Sequence, residues 1–225
     1  MKKIMAFILI TMALAGLFVL SACESNNNGG SGSDGNTPNS DTKSDSAAKA
    51  GDIIQLGGHD WRIIDLQDGK VLIVSEKILE NRAFHSEAVI MWEGAVTWET
   101  SEIRQYLNGS FYDNTFTAEE KERIIESAID NPAHPSAGIE DAGNTVDKIF
   151  LLSLWEATNY FNPDSARSAD SLETGAPSEW WLRTFGINAA TKAPICVNDD
   201  GLLNVGGKLG SDEIGIRPAL WLTMK

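Results

Sequence analysis

Two apolar segments near the C-terminus, each interrupted by one arginine, constrain the fold more than any other part of the sequence. Residues 179–186 read EWWLRTFG and residues 215–222 read GIRPALWL. A guanidinium keeps its charge, so an arginine inside a strand that is buried on both faces needs an acidic partner, backbone carbonyls or an aromatic face. We predict that both segments are strands at the centre of the core and that Arg183 and Arg217 are structural residues.

The alternation of side chains along these strands predicts which residues meet. Trp180 and Leu182 share one face of the first strand. Trp181 and Arg183 share the other face, where the guanidinium can lie along the indole ring. Pro218 cannot donate to a ladder, so the second segment is an edge strand, contains a bulge or leaves its sheet at that point.

The first 22 residues have the pattern of a secretory signal peptide. Lys2 and Lys3 precede an apolar run over residues 4–20, which is too short with these flanks to favour a spanning helix. The sequence LSAC at residues 20–23 resembles the lipobox of bacterial lipoproteins. This resemblance implies cleavage before Cys23, a diacylglyceryl group on its sulfur, and a lipid-anchored domain on the extracytoplasmic side of the cell membrane. An uncleaved anchor helix is the alternative.

A change of composition separates this leader from the folded part. Residues 24–50 contain no large apolar side chain, so they cannot bury enough surface to offset the entropy that ordering would cost. We predict that residues 23–50 are the lipidated cysteine and a disordered tether, and that residues 51–225 are one globular domain.

The balance of charges disfavours one class of partner. The formal net charge of the chain is −14 at pH 7. Binding to nucleic acid needs clustered lysine and arginine, so no nucleic-acid partner is expected. For the same reason we expect membrane contact through the lipid on Cys23 and not through a basic protein surface.

Turn residues predict two antiparallel hairpins. Asp68-Gly69 lies between two apolar runs, which is typical of a two-residue turn with positive φ. Asp199-Asp200-Gly201 separates two further short strands, and a hairpin turn explains this sequence better than a calcium loop, whose ligand count it lacks. Residues 148–152 predict another strand, whereas residues 78–98 fit neither period and are expected to be irregular.

Capping residues predict two or three short helices. Thr100-Ser101 can open the first helix, which Asn108-Gly109 would end. Thr117 opens a second helix with an apolar face at Ile124-Ile125, and Ser153 opens a third. The expected fold class is therefore α+β, with small twisted antiparallel sheets and two or three short helices.

Several motifs taken together resemble an uncharacterised family of bacterial surface domains that includes lipoproteins. They read TWETS (97–101), DKIFLLS (147–153), WWLR (180–183) and RPALWL (217–222). More distantly, the last two are similar to the end of C-type-lectin-like and formylglycine-generating (sulfatase-modifying) domains. That similarity implies a C-type-lectin-like fold with ligands bound on loop-rich surfaces. The family itself has no established activity, so the resemblance assigns no chemistry.

The motifs of known enzymes do not occur in the sequence. The formylglycine-generating enzymes use a pair of cysteines that bind copper, whereas Cys196 stands alone in a predicted strand and is expected to be a small core residue. With Cys23 lipidated, no disulfide within the chain is expected. The histidines are widely spaced, and no phosphate-binding loop or serine-hydrolase elbow occurs, so we predict neither a metal nor a cofactor.

Tryptophan supplies the candidate ligand-binding residues, since an exposed indole can stack on sugars or peptides. Trp155 and Trp221 lie in apolar patterns and are expected in the core. Trp180 and Trp181 are expected to be mainly buried, and the pair in irregular sequence is expected to be the most exposed. The candidates are Trp92, Trp98, Trp180 and Trp181.

The leading hypothesis is a lipid-anchored, non-catalytic surface domain that binds an extracellular ligand, either cell-wall glycan or protein. One alternative is an envelope hydrolase with an unidentified carboxylate pair, which predicts a deep cleft holding two acidic groups. The other is a structural or assembly protein, which predicts an exposed apolar patch and no cleft.

Overall fold

A computed structural model of the 225-residue chain describes residues 47–86, 96–131, 143–186 and 193–224. These residues belong to one unit, Ser46–Lys225. Among them, no helix has the length and apolar character needed to cross a bilayer. The predicted signal peptide, Cys23 and Trp92 lie outside the described residues.

The described residues contain short strands and a few short helices. The strands are β1 (Ile53–Leu56), β2 (His59–Gln67), β3 (Lys70–Ser75), β4 (Glu80–Ala83), β5 (Ile124–Ile125), β6 (Ser127–Ile129), β7 (Thr145–Asp147), β8 (Phe150–Leu151), β9 (Trp180–Phe185), β10 (Pro194–Val197), β11 (Leu203–Asn204), β12 (Glu213–Ile216) and β13 (Pro218–Thr223). The helices are α1 (Glu102–Tyr106), α2 (Tyr112–Thr115), α3 (Ala118–Lys121) and α4 (Leu154–Tyr160), with a π-helical turn at Leu107–Phe111 and a 3₁₀ turn at Asp164–Arg167.

The strands form two main sheets. The first sheet has the order β1-β2-β3-β13-β5, with β8 also paired to β13, and all of these pairs are antiparallel. The second sheet has the order β11-β10-β9-β12-β4 and is mixed, because β12 runs parallel to β9. Strands β6 and β7 form a separate antiparallel ribbon. The α+β class with small, mainly antiparallel sheets is confirmed, and the parallel pair is an addition to it.

Both predicted hairpins form. Asp68 and Gly69 connect β2 to β3 with φ values of 45° and 79°, as the two-residue turn requires. Strands β10 and β11 pair on either side of Asp199-Asp200-Gly201, and Gly201 has a φ of 87°. Among the described residues, no group of three or more His, Cys, Asp or Glu side chains could hold a metal ion.

The chain passes from one sheet to the other at Arg217. Strand β12 ends at Ile216 in the second sheet, and β13 begins at Pro218 in the first. Of the three arrangements that Pro218 allows, the strand therefore leaves its sheet at this point. Arg217 consequently lies at the junction of the two sheets.

The first two predicted helices show one agreement and one correction. α1 has Ser101 as its N-cap, and Gly109 has non-helical φ and ψ values of −110° and −108°, so the helix is broken at the predicted Asn108-Gly109 before the chain continues into α2. The side chain of Asn108 bonds to backbone groups of Ile149. α3 has the predicted capping box with Thr117 but ends at Lys121. Ile124-Ile125 instead forms β5, because these residues pair with β13.

The third predicted helix shows one agreement with the sequence analysis and one correction. Ser153 caps α4 through a capping box with Glu156, as predicted. Trp155, which the sequence places in the core, has 53% of its surface exposed. Leu154 and Ala157 face inward, so Trp155 lies on the solvent side of the helix.

Close approach of backbones explains the parallel pair in the second sheet. The N–H of Gly215 donates to the carbonyl of Glu179 at 3.0 Å. A Cβ atom at Gly215 would lie 2.5 Å from Cγ2 of Ile78 and 2.6 Å from that same carbonyl oxygen. Only glycine therefore fits where β12 runs beside the start of β9.

Candidate functional site

The motif residues near Trp98 form a buried structural network. The Asp147 side chain has no exposed surface and accepts hydrogen bonds from Nε1 of Trp98 at 2.8 Å, Nε of Arg104 at 2.6 Å and Oγ1 of Thr145 at 2.7 Å. Trp98 and Arg104 belong to α1 and the turn before it, whereas Thr145 lies in β7 with Asp147, so the carboxylate ties α1 to β7. Trp98 of the TWETS motif and Asp147 of the DKIFLLS motif therefore have a structural role.

Arg183 is a second structural node. Its guanidinium forms an ion pair with Glu156 and donates to Oδ1 of Asn131 at 2.8 Å and to the carbonyl of Leu151 at 2.7 Å. The aromatic ring against it is that of Phe150, at 5.5 Å from the guanidinium carbon. The expected contact of Arg183 with an indole is therefore corrected, and the partner is phenylalanine.

The core covers three of the candidate ligand-binding tryptophans. Trp98, Trp180 and Trp181 have 0% of their surface exposed. Their indole N–H groups donate within the protein, that of Trp180 to the carbonyl of Arg167 and that of Trp181 to the carbonyl of Arg82. The expectation that these residues present a stacking surface is corrected: their rings have no free face. Trp92 lies outside the described residues.

A cleft of about 540 Å³ lies beside the junction of the two sheets. Its walls come from β2, from the residues after β3, from the C-terminal end of α4 and from the loop around the 3₁₀ turn. We call it the junction cleft. Its charged and phenolic lining residues are Arg62, Glu76, Lys77, Tyr160, Asp170 and Arg217. Its size is within the range of pockets that hold small ligands.

Arg217 lines the junction cleft and is itself 3% exposed. Its Nε donates to the carbonyl of Ser75 at 2.8 Å, and its guanidinium carbon lies 5.0 Å from the ring of Phe161 and 5.3 Å from that of Trp180. Burial lowers the pKa of Arg217 to about 10, and the charge of Glu76 opposes that shift. The group is therefore still a cation at neutral pH.

Charged side chains on the wall of the junction cleft are of both signs. Arg62 holds Glu76 in a two-point ion pair, with one bond of 2.8 Å from Nε. Lys77 and Asp170 also line the cleft. With Arg217, the wall has three basic and two acidic side chains, although the whole chain has a net charge of −14.

An aromatic edge borders the junction cleft. Tyr160 lines the cleft, and its hydroxyl donates to Oδ2 of Asp65 at 2.9 Å. Burial and this carboxylate raise the pKa of Tyr160 well above its usual value, so the phenol stays protonated. The ring of Trp155 lies edge-on to that of Tyr160, with centroids 6.3 Å apart. Trp155 does not itself line the cleft, but it contacts a residue that does and is 53% exposed.

A smaller concavity of about 370 Å³ is acidic. Glu179, Asp199 and Glu213 line it, and Lys208 forms an ion pair with Glu179. The bond to Glu179 raises the pKa of Lys208, so Lys208 is a cation at neutral pH. This arrangement is an ordinary solvated ion pair among surface carboxylates.

Of the lining residues named for the junction cleft, only Arg217 was among the predicted site residues. Trp155 was expected in the core because its neighbours are apolar. Only the helical period of α4 shows that Trp155 lies on the solvent-facing side of the helix. Arg167 is 3% exposed and pairs with Asp164, and its carbonyl accepts from Trp180 and Arg217. It lies in a polar loop, where no sequence pattern indicates burial.

Comparison with known proteins gives one match. A family model described as a domain of unknown function (DUF6273) matches residues 68–224. No curated protein and no solved structure matches the chain. Strands β1 and β2 precede the matched residues, yet both belong to the first sheet, where β1 pairs with β2 and β2 pairs with β3. Arg62 of the junction cleft also precedes the match, whereas Tyr160 and Arg217 lie within it.

Proposed function

The chain belongs to this DUF6273 family of domains of unknown function, and we propose that it is a non-catalytic module that binds an extracellular glycan in the junction cleft. The observation that carries the proposal is the half-exposed Trp155, whose ring contacts Tyr160, a residue of the wall of a polar cleft. Aromatic faces bind the apolar faces of sugar rings, and the polar groups of the cleft wall can bond to hydroxyls.

The shape of the site favours a glycan over a protein partner. A stable protein interface buries about 800 Å² on each partner and has an apolar centre. The junction cleft is instead a concavity of about 540 Å³ that is lined by charged, polar and aromatic side chains. A chain of two or three sugar units suits such a site, because each unit presents one apolar face and several hydroxyls.

The direct test is calorimetric titration of the full-length chain, purified in detergent, with soluble peptidoglycan fragments and with β-1,4-linked N-acetylglucosamine oligomers. We expect one of these to bind, and we expect Trp155→Ala to weaken binding at least tenfold without lowering stability. Leu209→Ala is the matched control for the loss of an exposed apolar side chain, because Leu209 is similarly exposed at 58%. Absence of binding by every glycan would contradict the proposal, and cleavage of a fragment would favour the hydrolase alternative.

We propose in addition that Cys23 is lipidated and holds the domain on the outer face of the bacterial cell membrane. The support is the sequence alone, namely the basic and apolar leader and the LSAC motif. Two acyl chains are sufficient for stable anchoring. Metabolic labelling with a fatty acid should mark the wild-type chain and not Cys23→Ser, and equal labelling of both would reject the assignment.

The finer description of the fold as C-type-lectin-like is also a proposal. Short helices beside two small sheets, with a cleft bordered by loops, support it. A crystal structure of the chain would test it through the order and direction of the strands.

A further inference from the structure

We infer that the ligand of the junction cleft has a carboxylate group and that Arg217 binds it, so that the cleft selects acidic sugars over neutral ones. This inference rests on the proposed glycan-binding function and adds the chemical class of the ligand. The juxtaposition that carries it is a buried guanidinium, with no carboxylate of the described residues in contact with it, on the wall of the junction cleft.

Arg217 differs from the other well-buried arginines in its partners. Arg167 pairs with Asp164, and Arg183 pairs with Glu156. Among the described residues, no carboxylate oxygen lies within 4.0 Å of a side-chain nitrogen of Arg217, although Arg217 is as buried as the other two. A buried cation without a counter-ion is costly, so an anion at this position would stabilise it.

The hydrogen bonds of Arg217 leave donors for a ligand. Besides the 2.8 Å bond from Nε to Ser75, the terminal nitrogens have only long contacts, 3.5 Å to the carbonyl of Arg167 and 3.4 Å to that of Glu76. A guanidinium has five N–H groups, so at least two are free of these three acceptors. Arg217 is a lining residue of the junction cleft, so an acceptor bound there lies next to this side chain.

The surroundings of the guanidinium favour a carboxylate over a neutral acceptor. Glu76 lines the same cleft, but both of its oxygens accept from Arg62. Lys77 adds an exposed positive charge and Asp170 an exposed negative charge, so the three basic and two acidic side chains leave the wall with an excess of one positive charge. A planar carboxylate matches the fork of the guanidinium and forms charge-assisted bonds in a partly desolvated position.

The backbone carbonyls and the rings of Phe161 and Trp180 could by themselves hold Arg217 in a purely structural role. The two roles predict different responses to a change in the ligand. A structural arginine is indifferent to the charge of a bound sugar, whereas a binding arginine is not.

The experiment compares one disaccharide in two charge states. The probes are N-acetylglucosaminyl-N-acetylmuramic acid, which has a free carboxylate, and its methyl ester, each titrated into the full-length chain in detergent. We expect the acid to bind at least tenfold more tightly than the ester. Equal affinity would overturn the inference and leave the proposed function intact. Failure of both probes, and of the neutral oligomers, would reject the proposed function as well.

Variants of the lining residues test which side chains produce the preference for the acid over the ester. Lys77→Gln changes an exposed side chain of the cleft wall and should reduce the preference for the acid about threefold, while Lys121→Gln on α3 should leave it unchanged. Arg217→Gln should abolish the preference if the variant folds, as judged by circular dichroism. Since Arg217 is buried and this variant can fail to fold, the comparison of acid and ester on the wild-type chain decides the question without it. A full preference retained in Arg217→Gln would overturn the inference.

Discussion

Nε1 of Trp98 donates a hydrogen bond to Oδ2 of Asp147 at 2.8 Å, although 49 residues separate the two along the chain. Both residues are buried, and the same carboxylate also binds Arg104 and Thr145. The bond joins the turn before α1 to the β6–β7 ribbon. It shows why a tryptophan in irregular sequence is part of the core: its indole N–H has a fixed, buried acceptor.

Asp147→Ala should destabilise the protein strongly. Removal of the carboxylate leaves the Trp98 N–H and the Arg104 guanidinium without their acceptor, and breaking a buried ion pair in this way costs about 3–5 kcal/mol. Denaturant melts of wild type and variant measure the free energy of unfolding. Asp113→Ala is the control, since its pair with Lys121 is exposed and should contribute about 1 kcal/mol or less. A loss below about 1 kcal/mol for Asp147→Ala would show that the network is not structural.

Gly215→Ala should also destabilise, through a steric clash. The added methyl group would lie 2.5 Å from Cγ2 of Ile78 and 2.6 Å from the carbonyl oxygen of Glu179, which forces β12 away from β9. Overpacking of this kind typically costs about 1–3 kcal/mol. Gly206→Ala is the matched control, because the nearest atom to its Cβ is Oδ1 of Asn204 at 3.5 Å, an ordinary contact. Thermal melts of both variants give the comparison, and equal melting temperatures would contradict the close approach.

The sequence predicts those elements that short-range chemistry determines. The turn at Asp68-Gly69 needs only two residues with positive φ, and the cap of α4 needs only Ser153 and Glu156. The burial of Arg217 likewise follows from its apolar neighbours, and Pro218 indicates the change of sheet. In each case the determining residues lie within a few positions of one another.

The parts that the sequence does not predict depend on distant partners. Ile124-Ile125 continues a good helical pattern after Thr117, but pairing with Trp221 and Leu222 makes it a strand. Such tertiary pairing overrides local propensity. The junction cleft could not be predicted for the same reason: Arg62, Tyr160 and Arg217 meet only after both sheets have formed.

The stability of the protein should fall in acid partly through Glu120. Its carboxylate accepts from the N–H of Gly57 at 2.8 Å and from that of Thr117 at 2.9 Å, and these bonds lower its pKa below the ordinary value of 4.5. A carboxylate whose pKa is lowered in the folded state stabilises the fold above pH 4.5. This contribution is lost as the pH falls through the folded-state pKa. Glu120→Gln should therefore be less stable than wild type at pH 7, and the difference should shrink toward pH 3.

Denaturant melts at pH 7, 5, 4 and 3 measure this dependence. The exposed Glu126→Gln is the matched control and should follow the wild-type curve at every pH. If Glu120→Gln differs from wild type by the same amount at pH 7 and at pH 3, the bonds of its carboxylate do not produce the acid dependence.

Cys196 should be unreactive in the folded protein. It lies in β10 with no exposed surface, and burial raises the pKa of its thiol to about 11, so the reactive thiolate is scarce near neutral pH. In a chain that carries Cys23→Ser, an aromatic disulfide reagent at pH 8 should modify the thiol only when the protein opens. Denaturant should make the same thiol react at once.

Asp147→Ala, which lowers the free energy of unfolding, should speed the reaction in the absence of denaturant, whereas Asp113→Ala should not. Rapid modification of the folded chain without any destabilising change would mean that β10 is accessible and that the second sheet is less closely packed than its buried strand indicates.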